Sequence, residues 1–504
     1  MTRSLDDIQF AILSEANAQE VEPAAGAKSP ATALVEYVRS RFDLGVSDVG
    51  ETFAVPRDGP RIARFLAGGR DHLAGGLRRH YFDQFGRAAP NQAIADALAT
   101  LDGFARAREP VPLWLRVARV GPALWLDLGD ADGRAIRIAP GSWSVEPQAP
   151  VLFKRTPLTR PLPLPQRGGD SETLWDYLNV TPEDRPLVMA WLVAALEPDI
   201  PHPVLAFFGQ QGSGKTTALK RVVQLIDDSA APIRKPPRDT ETWVTAAGGS
   251  WIVALDNVSN IRPELSDALC RGVTGDGDVR RKLYTDADLQ AFAFRRVIAL
   301  SGIDVGSLAG DLDERVLAIT LDPIPDEDRR EERYLEESWR LARPMILGTL
   351  LDLAATVLAR LEHVQPKRLP RMADFARIVI AVDEVIGSDG FTRYDGGQAR
   401  RAVESLTDDP FIMRVMQVVA GSFEGTSADL LDRVTPTDAH WRKPKGWPSS
   451  PRAATVRLQK QAPAMRKAGW CVSNDKGANK ARTARWIIEA PALELNPSMG
   501  AVGG

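Results

Sequence analysis

The sequence predicts an α/β protein of several domains: a parallel-sheet core, an α+β domain before it and a winged-helix-like domain after it. Three observations lead there. Strand-like and helix-like patterns alternate from about residue 200 to residue 325, and the glycine-rich run "FFGQQGSGKTTALK" joins the first strand to the first helix. Upstream, helical periodicity in "IADALATLDGFARA" gives way to short alternating apolar runs in "PLWLRVARVGPALWLDLGDADGRAIRIAPGSW", the pattern of a β-meander. Downstream, a basic amphipathic helix opening at Ser450 and Pro451 is followed by two short strands, "WCVS" and "RWII".

The elements follow in order. Residues 1–30 are small, polar and proline-containing, and read as a flexible lead; residues 31–154 form the α+β accessory domain. "RTPLTRPLPLPQRGGD" has proline at close spacing and ends in Gly-Gly, so residues 155–170 can be neither helix nor central strand and read as a linker. Residues 171–199 give a helical connector, 200–325 the sheet core, 326–408 a helical region, 409–490 the winged-helix-like domain and 491–504 a flexible tail. The acids Asp127 and Asp130 do not suit a paired catalytic site, because they face opposite sides of a strand and the turn "DADG" accounts for them.

Gly209, Gln210, Gln211, Gly212, Ser213, Gly214, Lys215 and Thr216 fit G-x-x-x-x-G-K-[ST] without a mismatch, between the apolar strand "VLAFF" and the helix "TTALKRVVQLI". This is the P-loop pattern. Glycines let backbone N–H groups turn inward around phosphate oxygens, and the helix, with Thr217 in its first turn, presents its positive end to them. Lys215 is expected to bridge the outer phosphates of ATP, and Thr216 to ligate Mg2+. "SWIVALDNVS" delivers Asp256 at the C-terminal end of a second core strand, where it would hold the same ion. Asn257 stands where many P-loop motors carry a glutamate that activates water. An amide cannot accept that proton, so Asp256 doubles its role, another carboxylate enters, or hydrolysis is slow.

Between the second and third core strands lies "RGVTGDGDVRRKLYTDADLQAFAFRRVIALSG", and further on come "DLDERVLAITL" and "LPRMADFA". Over roughly residues 175–384 these features resemble the superfamily III helicases and the ATPase part of phage and plasmid primase-helicase proteins. The resemblance implies a P-loop, AAA+-like core that works as a subunit ring, six-membered by expectation. It makes Arg280, Arg281 and Lys282 a hairpin gripping single-stranded DNA in a central pore, Ser301 a sensor in place of the usual asparagine, and Arg315 an arginine finger reaching a neighbouring subunit's nucleotide. Three adjacent cations equally suit a solvated turn, and Arg315 equally suits an ion pair with Asp311 or Asp313.

The formal net charge of −3 hides an asymmetry: between Pro436 and Ile488 stand twelve basic residues and two acidic ones. A basic helix followed by a hairpin suits duplex DNA, with Arg452, Arg457 and Lys460 on the helix and Lys476, Lys480 and Arg482 on the wing. Cys270 and Cys471 are too few for a disulfide framework, and the five scattered histidines lack metal-ligand spacing. No apolar run is expected to reach membrane length and the acidic start does not suit a signal peptide, so a cytoplasmic protein is expected. The sequence therefore points to an ATP-hydrolysing DNA helicase or replication initiator of a phage or mobile element. A DNA-bound ATPase that remodels or loads other proteins, or a nucleotide-dependent DNA-binding scaffold, remain the alternatives.

Overall fold

The computed structural model describes residues 28–67, 73–259, 261–275, 278–281, 289–292, 295–302, 310–366, 369–407, 409–438, 440–444, 446–475 and 485–491. The chain divides into two compact units: residues 1–114, 131–133 and 151–157 in one, and residues 115–130, 134–150 and 158–504 in the other.

In the first unit, Ser29 caps the helix Pro30–Arg41 by accepting from Thr32 N, with proline at the first helical position. The chain then turns into the strand Phe42–Ser47, which pairs antiparallel with Thr52–Pro56. The helices Leu73–Phe85 and Asn91–Arg106 complete a core in which Leu34, Val38, Leu77, Tyr81, Ile94 and Leu101 are buried. Alanine and leucine at three- and four-residue spacing give the second of these helices its apolar face.

The expected meander forms in the second unit as a four-stranded antiparallel sheet of Val117–Val120, Ala123–Asp127, Ala135–Ala139 and Ser142–Glu146. Its inward residues, among them Leu124, Leu126, Ile136 and Ile138, share one core with the central sheet. Shared burial, more than nearness in sequence, thus sets the division of residues 31–154. Asp127 accepts from Gly129 N and Asp130 from Arg134, so both acids serve the turn.

The central sheet is parallel, with Ile252–Val258, Val297–Gly302, Val204–Phe208 and Val316–Thr320 side by side in that order. Every residue of Val204–Phe208 is buried, as a strand covered on both faces requires. Asp227, just past the helix Lys215–Ile226, accepts from Trp251 N at 2.7 Å, Ile252 N at 2.9 Å and Arg116 Nε at 2.9 Å. One buried carboxylate so fixes the end of that helix to the start of the Ile252–Val258 strand.

The segment expected as a linker is neither helix nor strand, yet it packs closely. Leu162 N donates to Leu128 O and Gln166 N to Pro344 O. Gly348 lets this strap approach the helix Glu332–Leu361, since a Cβ there would lie 1.7 Å from Gln166 O. That helix corrects one expectation: by length and composition it could cross a membrane. Its residues Ile346, Leu347, Leu350, Leu351 and Ala354 belong to the second unit's main core.

The C-terminal part runs helix Pro410–Val418, strand Ser422–Thr426, helix Ser427–Val434, helix Pro451–Lys467, and strands Cys471–Asn474 and Arg485–Glu489. The strands form one antiparallel sheet with Arg485–Glu489 in the middle. Sequence patterning missed Ser422–Thr426, because "SFEGT" has no β-branched run and its strand character comes from pairing with Arg485–Glu489.

Candidate functional site

The glycine-rich loop leaves the buried strand Val204–Phe208 at its C-terminal end and enters the helix Lys215–Ile226. Gly209, Gly212 and Gly214 have φ of 148°, 84° and 79°, conformations that L residues with side chains rarely adopt. At Gly209 a Cβ would meet Leu321 O at 2.4 Å and Ser213 Oγ at 2.8 Å. The position therefore demands glycine twice over.

Gly214 caps the helix without a side-chain hydrogen bond, which leaves the first-turn N–H groups facing the loop's concave side. The Lys215 ammonium lies within the loop and donates to Gly209 O at 2.8 Å and Gln210 O at 2.5 Å. Buried Ser213 donates to Gln210 O, tightening the turn, while Gln210 and Gln211 are exposed.

Asp256 arrives from across the sheet. The register between Ile252–Val258 and Val297–Gly302 shifts between Leu255 and Val258, and Asn257 in that bulge, with φ of 57°, is the one non-glycine residue of positive φ among those described. The bulge turns Asp256 toward the loop. There the Thr216 hydroxyl donates to Asp256 Oδ1 at 3.0 Å and Oδ2 at 3.2 Å. Ser301, buried on the intervening strand, donates to Asp256 Oδ1 and accepts from Asn257 N at 3.2 Å. Lys215, Thr216, Asp256, Asn257 and Ser301 thus form one cluster at the C-terminal edge of the sheet. The Asn257 side chain is exposed.

Arg315 is elsewhere. It ends the turn Gly310–Arg315, and the next residue, Val316, pairs with Val204 at the start of the loop strand. Five strand residues separate that end from the loop, roughly 16 Å, farther than an arginine reaches.

Sequence reasoning missed two supports of the loop. Asn179 Nδ2 donates to Ser213 O at 3.3 Å and Asp322 O at 2.7 Å, tying the loop to the segment after Val316–Thr320. That segment also crosses the loop through Leu321 N to Phe208 O and Ile324 N to Gly212 O. A cleft of about 410 Å³ opens beside the loop, lined among others by Trp175, Tyr177, Gly214, Thr217, Pro325 and Arg329. A lone asparagine in a connector carries no pattern that would have revealed it.

The expected nucleic-acid contacts divide differently. Arg280 and Arg281 lie on the strand Asp278–Arg281, which pairs antiparallel with Leu289–Phe292 as a hairpin inserted between core strands. Lys282, Lys476, Lys480 and Arg482 lie outside the described residues. Arg452 and Lys460 are exposed on the helix Pro451–Lys467, whereas Arg457 forms an ion pair with buried Asp409 at 2.7 Å.

Two stretches of the chain match known family models. Residues 173–409 match the family described as "Actinomycete integrative conjugative element replication protein", and residues 411–497 match the "AICE RepA C-terminal domain". Each match covers less than half of the chain, and together they liken it to replication proteins of a mobile element. No curated protein matches it. Among solved structures, the apo C-terminal region of NrS-1 aligns with 92% of this chain and 100% of its own at 12% identity and a TM-score of 0.39. JCV helicase with a bound phenylacetamide-type compound aligns with 43% of this chain and 59% of its own at 16% identity and a TM-score of 0.24.

Proposed function

We propose that this protein binds and hydrolyses ATP at its glycine-rich loop and uses that hydrolysis to move on DNA during replication of a mobile element, as a helicase or initiator-type motor. The observation that carries the reading is the meeting of Thr216 and Asp256 beside the loop, 40 residues apart in sequence. A hydroxyl and a carboxylate at the mouth of a helix N-terminus are hard oxygen donors suited to Mg2+. Bound there with the triphosphate, the ion would neutralise charge as it builds on the transferred phosphoryl group.

The chain's own residues supply the rest. Loop amides and the Lys215 ammonium bind phosphate oxygens, the ammonium exchanging carbonyl partners for them. Ser301 holds the Asp256 carboxylate in one orientation. Asn257 offers no proton acceptor, so Asp256 serves both duties and turnover is slow. The aromatic cleft beside Thr217 suits the nucleoside. Arg315 sits too far from its own loop to act there, which fits action on the nucleotide of another copy, in a ring expected to be hexameric.

The hairpin bearing Arg280 and Arg281 fits a grip on single-stranded DNA. The C-terminal helix–strand–helix–helix–strand–strand order fits a winged helix on duplex. A second reading, a DNA-bound remodeller or nucleotide-dependent scaffold, is favoured by Asn257. ATP turnover with and without single-stranded DNA, with strand displacement, separates the readings: stimulation with displacement supports the motor, stimulation alone the remodeller, and no turnover the scaffold.

A further inference from the structure

Glu314 immediately precedes Arg315 in the turn Gly310–Arg315, which is anchored by the fully buried Leu312. Two cations from distant parts of the chain hold its carboxylate, one on each oxygen. Arg371 Nη1 donates to Oε2 at 2.6 Å, and Lys467 Nζ donates to Oε1 at 3.0 Å. Burial raises the Glu314 carboxyl's proton affinity, but these two partners outweigh it and hold the group below the usual carboxylate range. It is ionised whenever both are present at neutral pH.

Lys467 is the last residue of the helix Pro451–Lys467. Arg452, Val456, Gln459, Lys460, Pro463 and Lys467 recur at helical spacing and are all exposed, while Ala454, Leu458, Ala462 and Met465 on the opposite face are buried. The face of this helix that suits DNA therefore ends in Lys467, which reaches Glu314. A phosphate oxygen is a charge-assisted partner for that lysine just as a carboxylate is. DNA lying along the stripe and Glu314 compete for the same ammonium.

We propose that the Lys467–Glu314 ion pair is a DNA-sensitive tether on the turn that carries Arg315: without DNA it restrains the arginine, and DNA phosphates drawing Lys467 away release it. The inference rests on the ATPase reading above. Side-chain exposures of 33% and 28% make the pair exchangeable, which a regulatory contact needs. Arg371 stays on Glu314 after Lys467 leaves, so the turn keeps one of its two outside anchors on Glu314 and loses the other.

The test uses the full chain and measures ATP turnover alone, with an oligodeoxythymidylate and with a duplex of the same length. Lys467→Ala is expected to raise turnover without DNA by about 2- to 5-fold, the range open to a partly exposed ion pair, and DNA then adds correspondingly less. Mere loss of a DNA contact would leave the DNA-free rate untouched. Lys467→Arg restores wild-type behaviour, and Glu314→Gln, which removes the carboxylate charge, raises the DNA-free rate as Lys467→Ala does. If Lys467→Ala does not fold, Glu314→Gln carries the test. Wild-type DNA-free rates in both Lys467→Ala and Glu314→Gln, with Lys215→Ala inactive, overturn the tether while leaving the ATPase reading standing. A wild type whose turnover ignores both DNAs also overturns it. Undiminished turnover in Lys215→Ala instead removes the reading beneath.

Discussion

His202 offers a perturbation whose size follows from the structure. It lies two residues before the loop strand, fully buried, with its ring 5.7 Å from that of Trp251 and nearly perpendicular to it. Its Nε2 contacts two carbonyl oxygens, Ala194 O at 3.0 Å and Glu197 O at 2.8 Å, so Nε2 carries the proton. Nδ1 is buried without a partner among the described residues. A second proton would place an unpaired charge there. Burial is the largest cause, offset in part by the two carbonyls and reinforced by Arg295, and together they lower the pKa from 6.5 to about 4. Above pH 6.5 neither the folded nor the unfolded state holds the extra proton, and this group leaves stability independent of pH. As pH falls from 6.5 toward 4 the unfolded state takes up the proton first, so stability drops, levelling off once the folded state protonates as well. The full window is worth about 3 kcal/mol, and about 2 kcal/mol is lost by roughly pH 5. Urea unfolding followed by tryptophan fluorescence, comparing wild type with His202→Gln at each pH, isolates this contribution from the carboxylates. A difference between the two proteins that does not change with pH would refute the reasoning.

Other expectations concern the loop and its partners. Gly209→Ala sets a Cβ against Leu321 O at 2.4 Å; displacing that backbone costs about 1–3 kcal/mol, and ATP affinity in an equilibrium titration should fall about 10-fold or more. Asn179→Ala removes the amide that bonds Ser213 O and Asp322 O, and a loss of about 1 kcal/mol should appear as a lower melting temperature together with several-fold weaker nucleotide binding. Arg315→Ala should abolish turnover while sparing nucleotide affinity, and mixing it with Lys215→Ala should restore part of the turnover, since each copy supplies what the other lacks. Full turnover by Arg315→Ala alone would remove its assigned role.

The geometry of the loop cluster was legible because its constraint is local. The glycines of the loop, the lysine and threonine after them and the aspartate ending an apolar strand lie in fixed sequence relation to the elements that carry them. The meander was legible for the same reason, through its alternation and its Asp-Gly turn. What escaped depends on distant groups. Asn179 holds two carbonyls from segments 34 and 143 residues away, and Ser422–Thr426 is a strand only because Arg485–Glu489 pairs with it. The proline-rich strap reads as a tether until Gly348 shows where it packs. Helical periodicity alone places Arg457 with the groove-facing cations, but buried Asp409 engages it in an ion pair.

The central claim is that the loop from Gly209 to Thr216 holds a triphosphate. Titrating a fluorescent ATP analogue with Mg2+ into wild type and Lys215→Ala tests it most directly. Loss of a charge-assisted contact of about 1.5–3 kcal/mol predicts affinity about 10- to 100-fold weaker in the variant. Equal affinity in the two proteins would contradict the account.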